Sequence, residues 1–386
     1  MSQSSEPNSL HLWFPNLFEF KGGIQVYLGD LLQALTKAFP TLSITVHDKL
    51  DCSYPAQDWQ QHSVSFVTYG HQFNWLKTLH FALGIAISAL KQRPKLVLCG
   101  HLNFAPVAYW LNHFTGIPYW ILVYGVDAWE VESLMKKKAL QGAAKIISIS
   151  NYTRDRLISE QGINPEKIVL LPVTFDASRF RISPKPSYLL QRYGLSSQNL
   201  IILMVGRLDS NERHKGYDKV IQALPEIIAK LPTVHYLIVG KGDDKERIEQ
   251  LVQSLDLQSY VTLAGFVPDA ELCDHYNLCD LFAMPSKGEG FGIVYLEALA
   301  CGKPTLGGNC DGAVDALCDG EIGALVDPYD VKAIAETVTQ ILEGTYPNST
   351  VYQPELLRKK VISTYGYKKF QETLSKHLIF TTLNKS

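Results

Sequence analysis

The sequence predicts an α/β protein built from two doubly wound parallel-sheet domains. Short apolar runs rich in β-branched residues recur in two sets: LSITVHD, KLVLCG, YWILVYG, AKIISIS and KIVLLP, then LIILMVG, HYLIVG, YVTLAG, LFAMPS and KPTLGG. Most are apolar throughout, which is typical of strands covered on both faces. Segments of helical length, such as GYDKVIQALPEIIAKL, separate them. Strands that alternate with helices in this way predict parallel sheets.

The two sets of strands are separated by a polar segment that contains Pro184 and Pro186. Proline and polar clusters between periodic segments are typical of linkers, so we place a hinge within residues 176–190. We expect an N-terminal domain over residues 1–178 and a C-terminal domain over residues 185–363. A chain of 386 residues with 46% apolar content is long enough for two cores.

Composition excludes several classes of protein. A formal net charge of -2 gives no overall field for nucleic acid. The seven cysteines form no CxxC pair, which favours reduced core thiols over a disulfide framework or a zinc site. The start MSQSSEPNSLHLWF does not resemble a leader peptide, and the apolar window Thr78–Leu90 is too short to span a bilayer. We expect a cytoplasmic protein, with the cytoplasmic face of a membrane as the alternative.

A weak peripheral membrane contact is the only membrane interaction that the sequence suggests. Basic residues accompany the apolar run Leu76–Lys95, and a basic amphipathic helix can lie on an anionic surface. A half-buried helix with a solvated end explains the same run, and we favour that interpretation.

Ligands of doubly wound domains bind at the carboxyl ends of strands, so the residues just after each run carry most weight. Gly22 and Gly23 follow the run LHLWF and open a predicted helix. Glycines at a helix N-terminus let backbone N–H groups approach an anion. A tight turn uses glycine pairs as often, so both interpretations remain open for this loop.

A second polar group follows the run LIILMVG. Gly206 and Arg207 come directly after it, and Lys215 lies eight residues further on, before another predicted helix. Arginine offers a planar fork for two phosphate oxygens, and lysine supplies a compact point charge. Together they suit a diphosphate, although both could also be ordinary surface cations.

A third group is the stretch SKGEGFGIVYLEALACGKP, which places Glu289 in a glycine-rich turn and Glu297 eight residues later. We predict a helix over FGIVYLEALA, with Glu289 before it and Glu297 about two turns inside it. A continuous helix would separate them by about 12 Å along its axis. Paired glycosidase carboxylates lie closer, at about 5 to 9.5 Å. The spacing therefore favours two contacts on one polyhydroxylated ligand over hydrolysis.

These motifs, GRL…KG followed by EGFG…LEALACGKP, resemble the retaining glycosyltransferases of family four. The resemblance implies the GT-B architecture, in which two Rossmann-like domains face each other across a cleft, with a last helix at about residues 364–386 returning to the first domain. It assigns Glu289 to the donor sugar, Glu297 to the nucleotide ribose, and Arg207 with Lys215 to the diphosphate. The remaining donor-binding residues that it implies are Gly22, Gly23, Gly206, Gly290, Phe291 and Gly292, with backbone donors in residues 309–312.

The N-terminal half departs from the family on the acceptor side. In YWILVYGVDAWE the position where the family often carries a histidine is Tyr124, which cannot act as a base near neutral pH. Asp127 remains in the same segment. His101 and Asn103 follow another predicted strand and are the next candidates for acceptor contact, although a lone histidine is more often structural. The family's PNGVD-like segment also differs, since residues 172–176 read PVTFD.

The resemblance implies transfer of a hexosyl group from a nucleoside diphosphate sugar, of the UDP or GDP type, to an acceptor hydroxyl with retention at the anomeric carbon. Glu289, Arg207 and Lys215 are the expected catalytic residues, with no metal and no other cofactor. Closure about the hinge is expected to limit donor hydrolysis. Two rivals remain: a sugar-nucleotide epimerase of the same fold, and a non-catalytic sugar-nucleotide binding protein. The donor base and sugar, the acceptor and the oligomeric state stay open.

Overall fold

A computed structural model describes residues 9–20, 22–55, 63–71 and 74–383, without the side chains of 74–75 and 379–383. The chain divides into two compact units. One, the N-terminal unit, runs to Val173 and also includes the C-terminal segment from Phe370 onward; the other, the C-terminal unit, is Thr174–Lys369. Each unit contains one sheet, and all strand pairs within both sheets are parallel.

The sheet of the N-terminal unit has the strand order β3-β2-β1-β4-β5-β6-β7. Its strands are β1 Ser9–Phe14, β2 Ser43–Asp48, β3 Val64–Thr68, β4 Leu96–Cys99, β5 Tyr119–Val123, β6 Lys145–Ser148 and β7 Ile168–Leu170. Every residue of β1, β4 and β5 is buried, because helices cover both faces of a parallel sheet. The edge strand β3 alternates between half-buried and exposed residues.

Helices of the N-terminal unit begin with α1 at the first candidate glycine loop. They are α1 Gly23–Ala38, α2 Asn74–Gln92, α3 Ala105–Thr115, α4 Val126–Trp129, α5 Leu134–Gly142 and α6 Asn151–Gln161. Residues on the inner faces of α2, α3 and α5 share one hydrophobic core with the central strands; they include Phe81, Ile85, Ala108, Leu111 and Leu140. These three helices therefore lie side by side over one face of the sheet, with their opposite faces turned away from that core.

The sheet of the C-terminal unit has the order β10-β9-β8-β11-β12-β13. Its strands are β8 Leu200–Val205, β9 Val234–Val239, β10 Val261–Gly265, β11 Leu281–Met284, β12 Thr305–Gly308 and β13 Ala324–Val326. The helices of this half are α7 Ser187–Tyr193, α8 Tyr217–Lys230, α9 Lys245–Ser254, α10 Asp269–Leu278, α11 Ile293–Ala300, α12 Ala313–Ala316, α13 Val331–Glu343 and α14 Pro354–Tyr365, followed by α15 Tyr367–Leu383, which continues into the N-terminal unit.

Strand order reverses at one place in each sheet, and these places position the candidate residues. In the N-terminal unit the reversal lies between β1 and β4, and in the C-terminal unit between β8 and β11. Loops leaving neighbouring strands in opposite directions open a crevice at the carboxyl edge of the sheet, where doubly wound domains bind ligands. The loops after β1, β4, β8 and β11 are those that carry most of the predicted site residues.

Two details of the prediction need correction. Helix α11 begins at Ile293, two residues later than expected, so Glu297 is its fifth residue and lies little more than one turn inside. The sequence analysis also missed strands β3 and β13. The first alternates rather than running apolar throughout, and the second has only three residues.

All seven cysteines are free. Cys99, Cys273, Cys279 and Cys301 are buried, as expected of core thiols, whereas the other three are partly exposed. Within the described ranges, no helix is both long enough and apolar enough to cross a bilayer.

Candidate active site

The strongest cluster of candidate residues lies at the carboxyl edge of the C-terminal sheet. Arg207 follows β8, Lys215 ends the 3₁₀ segment Ser210–Lys215 before α8, and Glu289 lies in the loop after β11. Strands β8 and β11 are neighbours. Residues that are 74 positions apart in sequence thereby come into direct contact.

Lys215 and Glu289 form the central ion pair, from Nζ to Oε1. Their side chains are only 14% and 16% exposed. Burial alone would raise the pKa of Glu289, but the Lys215 ammonium, together with the charges of His214 and Arg207, holds that pKa below its usual value. Burial would likewise lower the pKa of Lys215, and the carboxylates of Glu289 and Glu212 together raise it above its usual value. Both groups are therefore charged at neutral pH.

Glu212 connects the two cations of the cluster. Its Oε1 pairs with the Arg207 guanidinium, and its Oε2 lies 3.6 Å from the Lys215 ammonium. The Glu212 side chain is 15% exposed, whereas that of Arg207 is 58% exposed. One carboxylate thus lies between a half-exposed arginine and a nearly buried lysine, in an arrangement that an external anion with two oxygens could also adopt.

Asp311 fixes the loop that carries Glu289. This fully buried carboxylate accepts hydrogen bonds from the Ser286 hydroxyl at 2.7 Å, the Glu289 backbone N–H at 2.8 Å and the Ala313 N–H at 2.9 Å. The Gly312 N–H in turn donates to the Glu289 carbonyl at 2.8 Å. Burial raises the pKa of Asp311 to about 6, and these donors oppose the shift. The loops after β11 and β12 are therefore bonded to each other.

Two glycines of the cluster are needed for close packing. A Cβ atom on Gly206 would lie 3.2 Å from Cδ of Lys215, and one on Gly312 would lie 2.1 Å from the Gly290 carbonyl oxygen. Gly292 has φ +88° and precedes α11. Phe291 is buried and contacts the ring of Tyr365 edge-on, at 5.2 Å between centroids. The GEGFG turn is thus tightly held by its own protein surroundings.

Glu297 lies on α11, where the residue is 8% exposed. The Tyr276 hydroxyl donates to its Oε2 at 2.7 Å. This contact holds the side chain in one orientation from the neighbouring helix α10. The ribose contact that the resemblance implies for Glu297 stays a prediction.

In the N-terminal unit, Gly22 and Gly23 lie at the start of α1, as predicted. Gly22 is the N-terminal cap residue, in extended conformation, and supplies no capping side chain. A Cβ atom on Gly23 would meet no atom within 4 Å in the described part of the chain. Packing within this unit therefore does not require glycine at position 23, which leaves room there for a ligand.

His101 and Asn103 follow β4. The Asn103 N–H donates to Nδ1 of His101 at 3.1 Å, which caps the short 3₁₀ helix Leu102–Phe104. Burial, followed by the charges of Lys136 and Lys49, lowers the pKa of His101 to about 4. The imidazole is therefore neutral at pH 7, and because Nδ1 is an acceptor, the proton resides on Nε2. Besides its capping role, His101 can donate one hydrogen bond.

Tyr124 and Asp127 follow β5, the strand next to β4. The Tyr124 hydroxyl donates to the Gly100 carbonyl at 2.9 Å, and the Tyr124 N–H donates to Oδ1 of Asp127 at 2.9 Å. Oδ2 of Asp127 is buried without a hydrogen-bond partner in the described part of the chain. Burial raises the pKa of Asp127 to about 7. Tyr124 thus joins two loops, and the carboxyl of Asp127 can gain or lose a proton near neutral pH.

Three side chains that organise the site were not predicted from the sequence: Glu212, Tyr276 and the carboxylate of Asp311. Glu212 lies three residues before Lys215, a spacing that could have signalled the pair. Tyr276 and Asp311 act on residues 21 and 22 positions away, and no local pattern indicates such contacts. Within the described residues, no group of three or more His, Cys, Asp and Glu side chains is placed to hold a metal ion.

Two family models match the chain. The model of the glycosyl transferases group 1 matches residues 189–355, and that of glycosyltransferase family 4 matches residues 21–179. Together they cover both units. Their boundary falls in the segment where the sequence analysis placed the hinge.

Curated relatives are similar over part of the chain. A GDP-mannose-dependent alpha-(1-6)-phosphatidylinositol monomannoside mannosyltransferase of Mycolicibacterium smegmatis is 35% identical over 202 residues, which cover 50% of this chain and 52% of that protein. A D-inositol 3-phosphate glycosyltransferase of Kineococcus radiotolerans is 29% identical over 49% of this chain and 45% of its own length. The matched part thus spans about half the length of these relatives.

Solved structures are similar over nearly the whole chain. HepE from Anabaena, crystallised with UDP, has a TM-score of 0.77 at 21% identity and matches over 96% of this chain and 99% of its own. Sucrose-phosphate synthase from Thermosynechococcus elongatus has a TM-score of 0.79 at 20% identity, over 98% and 100%. The two parallel sheets and the solved structures indicate the same fold, and the two family models together match both units. The chain belongs to the group 1 (family 4) glycosyltransferases and has their GT-B fold.

Proposed function

We propose that this protein is a retaining glycosyltransferase that moves a hexosyl group from a nucleoside diphosphate sugar to an acceptor hydroxyl. The observation that carries the proposal is the cluster of Arg207, Lys215 and Glu289 at the reversal point of the C-terminal sheet. Two cations and a carboxylate on loops fixed by buried partners match the needs of a sugar joined to a diphosphate.

Glu212 acts in this proposal as an internal substitute for the diphosphate. It pairs with both Arg207 and Lys215. An incoming diphosphate competes for the same two cations, and since its oxygens carry more charge, it displaces the carboxylate. Lys215 then shifts part of its interaction from Glu289 to the phosphate, which leaves Glu289 available to accept hydrogen bonds from sugar hydroxyls.

The chemical step is heterolysis of the bond between the anomeric carbon and the diphosphate. Its electrons leave with the phosphate oxygen, where Arg207 and Lys215 stabilise the growing negative charge. The acceptor hydroxyl attacks from the face that the phosphate leaves, and the departing phosphate takes the hydroxyl proton. The neutral imidazole of His101, with its proton on Nε2, serves as a hydrogen-bond donor on the acceptor side rather than as a base.

The reaction is proposed to need no metal, because Arg207 and Lys215 already offset the charge of the diphosphate. For the donor, one relative is named as GDP-mannose-dependent, whereas the HepE crystals contain UDP. Both nucleotides are therefore candidates. Several relatives are named for glycosylating inositol compounds or phosphatidylinositol mannosides, which supports a role in glycolipid or glycan synthesis.

A thermal-shift panel of UDP, GDP and ADP sugars tests the donor, with and without EDTA. The sugar that stabilises the protein most is then used in a nucleotide-release assay with wild type and Glu289→Gln, and the product's anomeric configuration is read by NMR. The proposal expects stabilisation and release that EDTA does not change, retention in the product, and loss of release in the variant.

Other outcomes would redirect the proposal. An isomerised nucleotide sugar formed without any acceptor would indicate an epimerase. A donor that binds tightly but releases no nucleoside diphosphate with any acceptor in a broad glycan and lipid panel would indicate a binding protein. Activity abolished by EDTA and restored by Mg²⁺ or Mn²⁺ would contradict the metal-independent step.

A further inference from the structure

Helix α2 exposes an apolar stripe on the side facing away from the core. Leu79, Leu83, Ile87 and Leu90 are 57%, 53%, 50% and 47% exposed. Their spacing of four, four and three residues places them on one face of the helix. The sequence analysis favoured a half-buried helix with a solvated end, but the outward face of α2 is apolar along most of its length.

The neighbouring helix α3 extends this apolar surface. Trp110 and Phe114 are 47% and 77% exposed, and their rings stack at 5.9 Å between centroids. Because α2 and α3 pack side by side with their inner faces in one core, their outer faces lie on the same side of the unit. We call the six side chains Leu79, Leu83, Ile87, Leu90, Trp110 and Phe114 the apolar face.

The segment of the chain that carries the apolar face has charges of one sign only. Between Asp58 and Asp127 the sequence contains neither aspartate nor glutamate, while Lys77, Lys91, Arg93 and Lys95 lie on α2 or directly after it. The last three are exposed. A contiguous apolar patch marks an interaction surface, and exposed cations in a segment without carboxylates favour a partner with negative charge.

We propose that the apolar face docks this protein on an anionic lipid membrane. Helix α2 would lie in the plane of the interface, with its leucines and isoleucine inserted between lipids and the basic residues at its end paired with headgroups. Tryptophan is enriched where hydrocarbon meets headgroups, and Trp110 suits that position. The apolar face belongs to one unit alone, and docking through it does not depend on the proposed glycosyl transfer.

Charge disfavours a second copy of the chain as the occupant. A twofold dimer through this face would bring the same surface of both copies together. Lys91, Arg93 and Lys95 of one copy would then approach those of the other, without carboxylates in this segment to offset them. An anionic lipid surface can instead bind the cations through its headgroups and the apolar side chains through its hydrocarbon.

Vesicle co-sedimentation of the full-length protein, without donor or acceptor, tests the proposal. The vesicles are phosphatidylcholine alone and phosphatidylcholine with 30% phosphatidylglycerol. Wild type is expected to bind the anionic vesicles at least tenfold more tightly than the vesicles of phosphatidylcholine alone, and 0.5 M salt should weaken that binding. Leu83→Glu/Ile87→Glu is expected to reduce binding at least tenfold, and Lys91→Gln/Lys95→Gln to remove most of the preference for phosphatidylglycerol.

Matched controls keep the test specific. Leu255 and Phe266 of the C-terminal unit are also exposed, at 36% and 66%, so Leu255→Glu/Phe266→Glu adds the same charge elsewhere and should bind vesicles like wild type. Circular dichroism and melting temperature check that each variant is folded. The proposal is overturned if wild type binds neither vesicle, if folded Leu83→Glu/Ile87→Glu binds like wild type, or if that variant dissociates a dimer that shows no affinity for vesicles.

Discussion

Candidate residues of the two units are held in place by different forces. In the C-terminal unit, Arg207, Lys215 and Glu289 are joined through ion pairs, directly or by way of Glu212. In the N-terminal unit, His101 and Tyr124 are held by hydrogen bonds to the backbone, and burial favours the uncharged form of each. The candidate residues of the C-terminal unit are thus mainly charged, whereas His101 and Tyr124 of the N-terminal unit are neutral hydrogen-bonding groups.

This difference agrees with the proposed transfer, in which the C-terminal unit would bind the donor and the N-terminal unit the acceptor. A diphosphate carries charge whatever sugar it bears, so its binding site needs cations at fixed positions. An acceptor hydroxyl is neutral, and a site for it can be built from backbone groups and polar side chains in many ways. The C-terminal unit therefore carries motifs that are readable in sequence, and the N-terminal unit does not.

Removing charge from the C-terminal cluster is expected to have the largest effect. Lys215→Met deletes a cation worth on the order of 1.5 to 3 kcal/mol per charge-assisted contact and leaves Glu289 buried without its partner. We expect kcat/KM for nucleotide release to fall about 100-fold or more, with a lower melting temperature. Glu289→Gln should lose activity similarly.

Lys245 offers the matched control, since it forms an ion pair with Glu249 at 3.4 Å on the surface of the same unit and is 59% exposed. Lys245→Met should retain activity. Equal losses in Lys215→Met and Lys245→Met would mean that charge in this unit acts through general stability, and the contrast between the two units would fail.

Features with a local sequence pattern could be predicted, whereas features that depend on contacts between distant residues could not. Continuous apolar runs located most strands, and the motif residues Lys215 and Glu289 were placed at strand exits, where the structure shows them in contact. Strand β3 was missed because VSFVT alternates, and Asp311 because its hydrogen bonds with Ser286 and Glu289 reach residues that only the folded loops bring near. The apolar face was missed for a related reason: periodicity cannot show which of two apolar sides of α2 is covered.

Gly23→Ala extends the comparison to the N-terminal unit. Because an added Cβ meets no atom within 4 Å and alanine favours helix by roughly 0.5–1 kcal/mol, the variant should melt at the same temperature as wild type or slightly higher. If a diphosphate approaches this helix start, the methyl group blocks it, and kcat/KM should fall about tenfold.

Gly29 provides the control for this substitution, since it lies in the same helix and a Cβ there also meets no atom within 4 Å. Gly29→Ala should gain at least as much stability, because position 29 lies inside the helix, and should keep full activity. Full activity in Gly23→Ala would show that the glycine pair serves the turn alone, and that the N-terminal unit does not contact the donor through this loop.

Glu212→Gln tests whether this carboxylate competes with the ligand. Since it pairs with both Arg207 and Lys215, its neutralisation should tighten binding of the nucleoside diphosphate by about three- to tenfold, as about 0.7 to 1.4 kcal/mol of competing interaction is removed. Isothermal titration calorimetry measures the change. Glu249→Gln, on the exposed surface, should bind like wild type, and weaker binding in Glu212→Gln would show that Glu212 positions the cations instead.

The smallest expected effect concerns the buried carboxyl groups, and it separates the units by pH. Burial raises the pKa of Asp48, at the end of β2, from 3.8 to about 8, and the nearby Asp51 adds to the rise. For an acid with a raised folded pKa, the contribution to stability is complete below pH 4 and is lost as pH rises toward 8. Asparagine does not ionise, so the melting temperature of Asp48→Asn minus that of wild type should increase between pH 5 and pH 8, by about 5 °C.

For Asp311→Asn in the C-terminal unit, whose carboxyl has a pKa of about 6, the difference in melting temperature from wild type should level off above pH 6. Melting curves at half-unit pH steps measure both, and because other titrating groups are common to variant and wild type, a flat difference for Asp48→Asn would mean that Asp48 is ionised in the folded protein throughout this range.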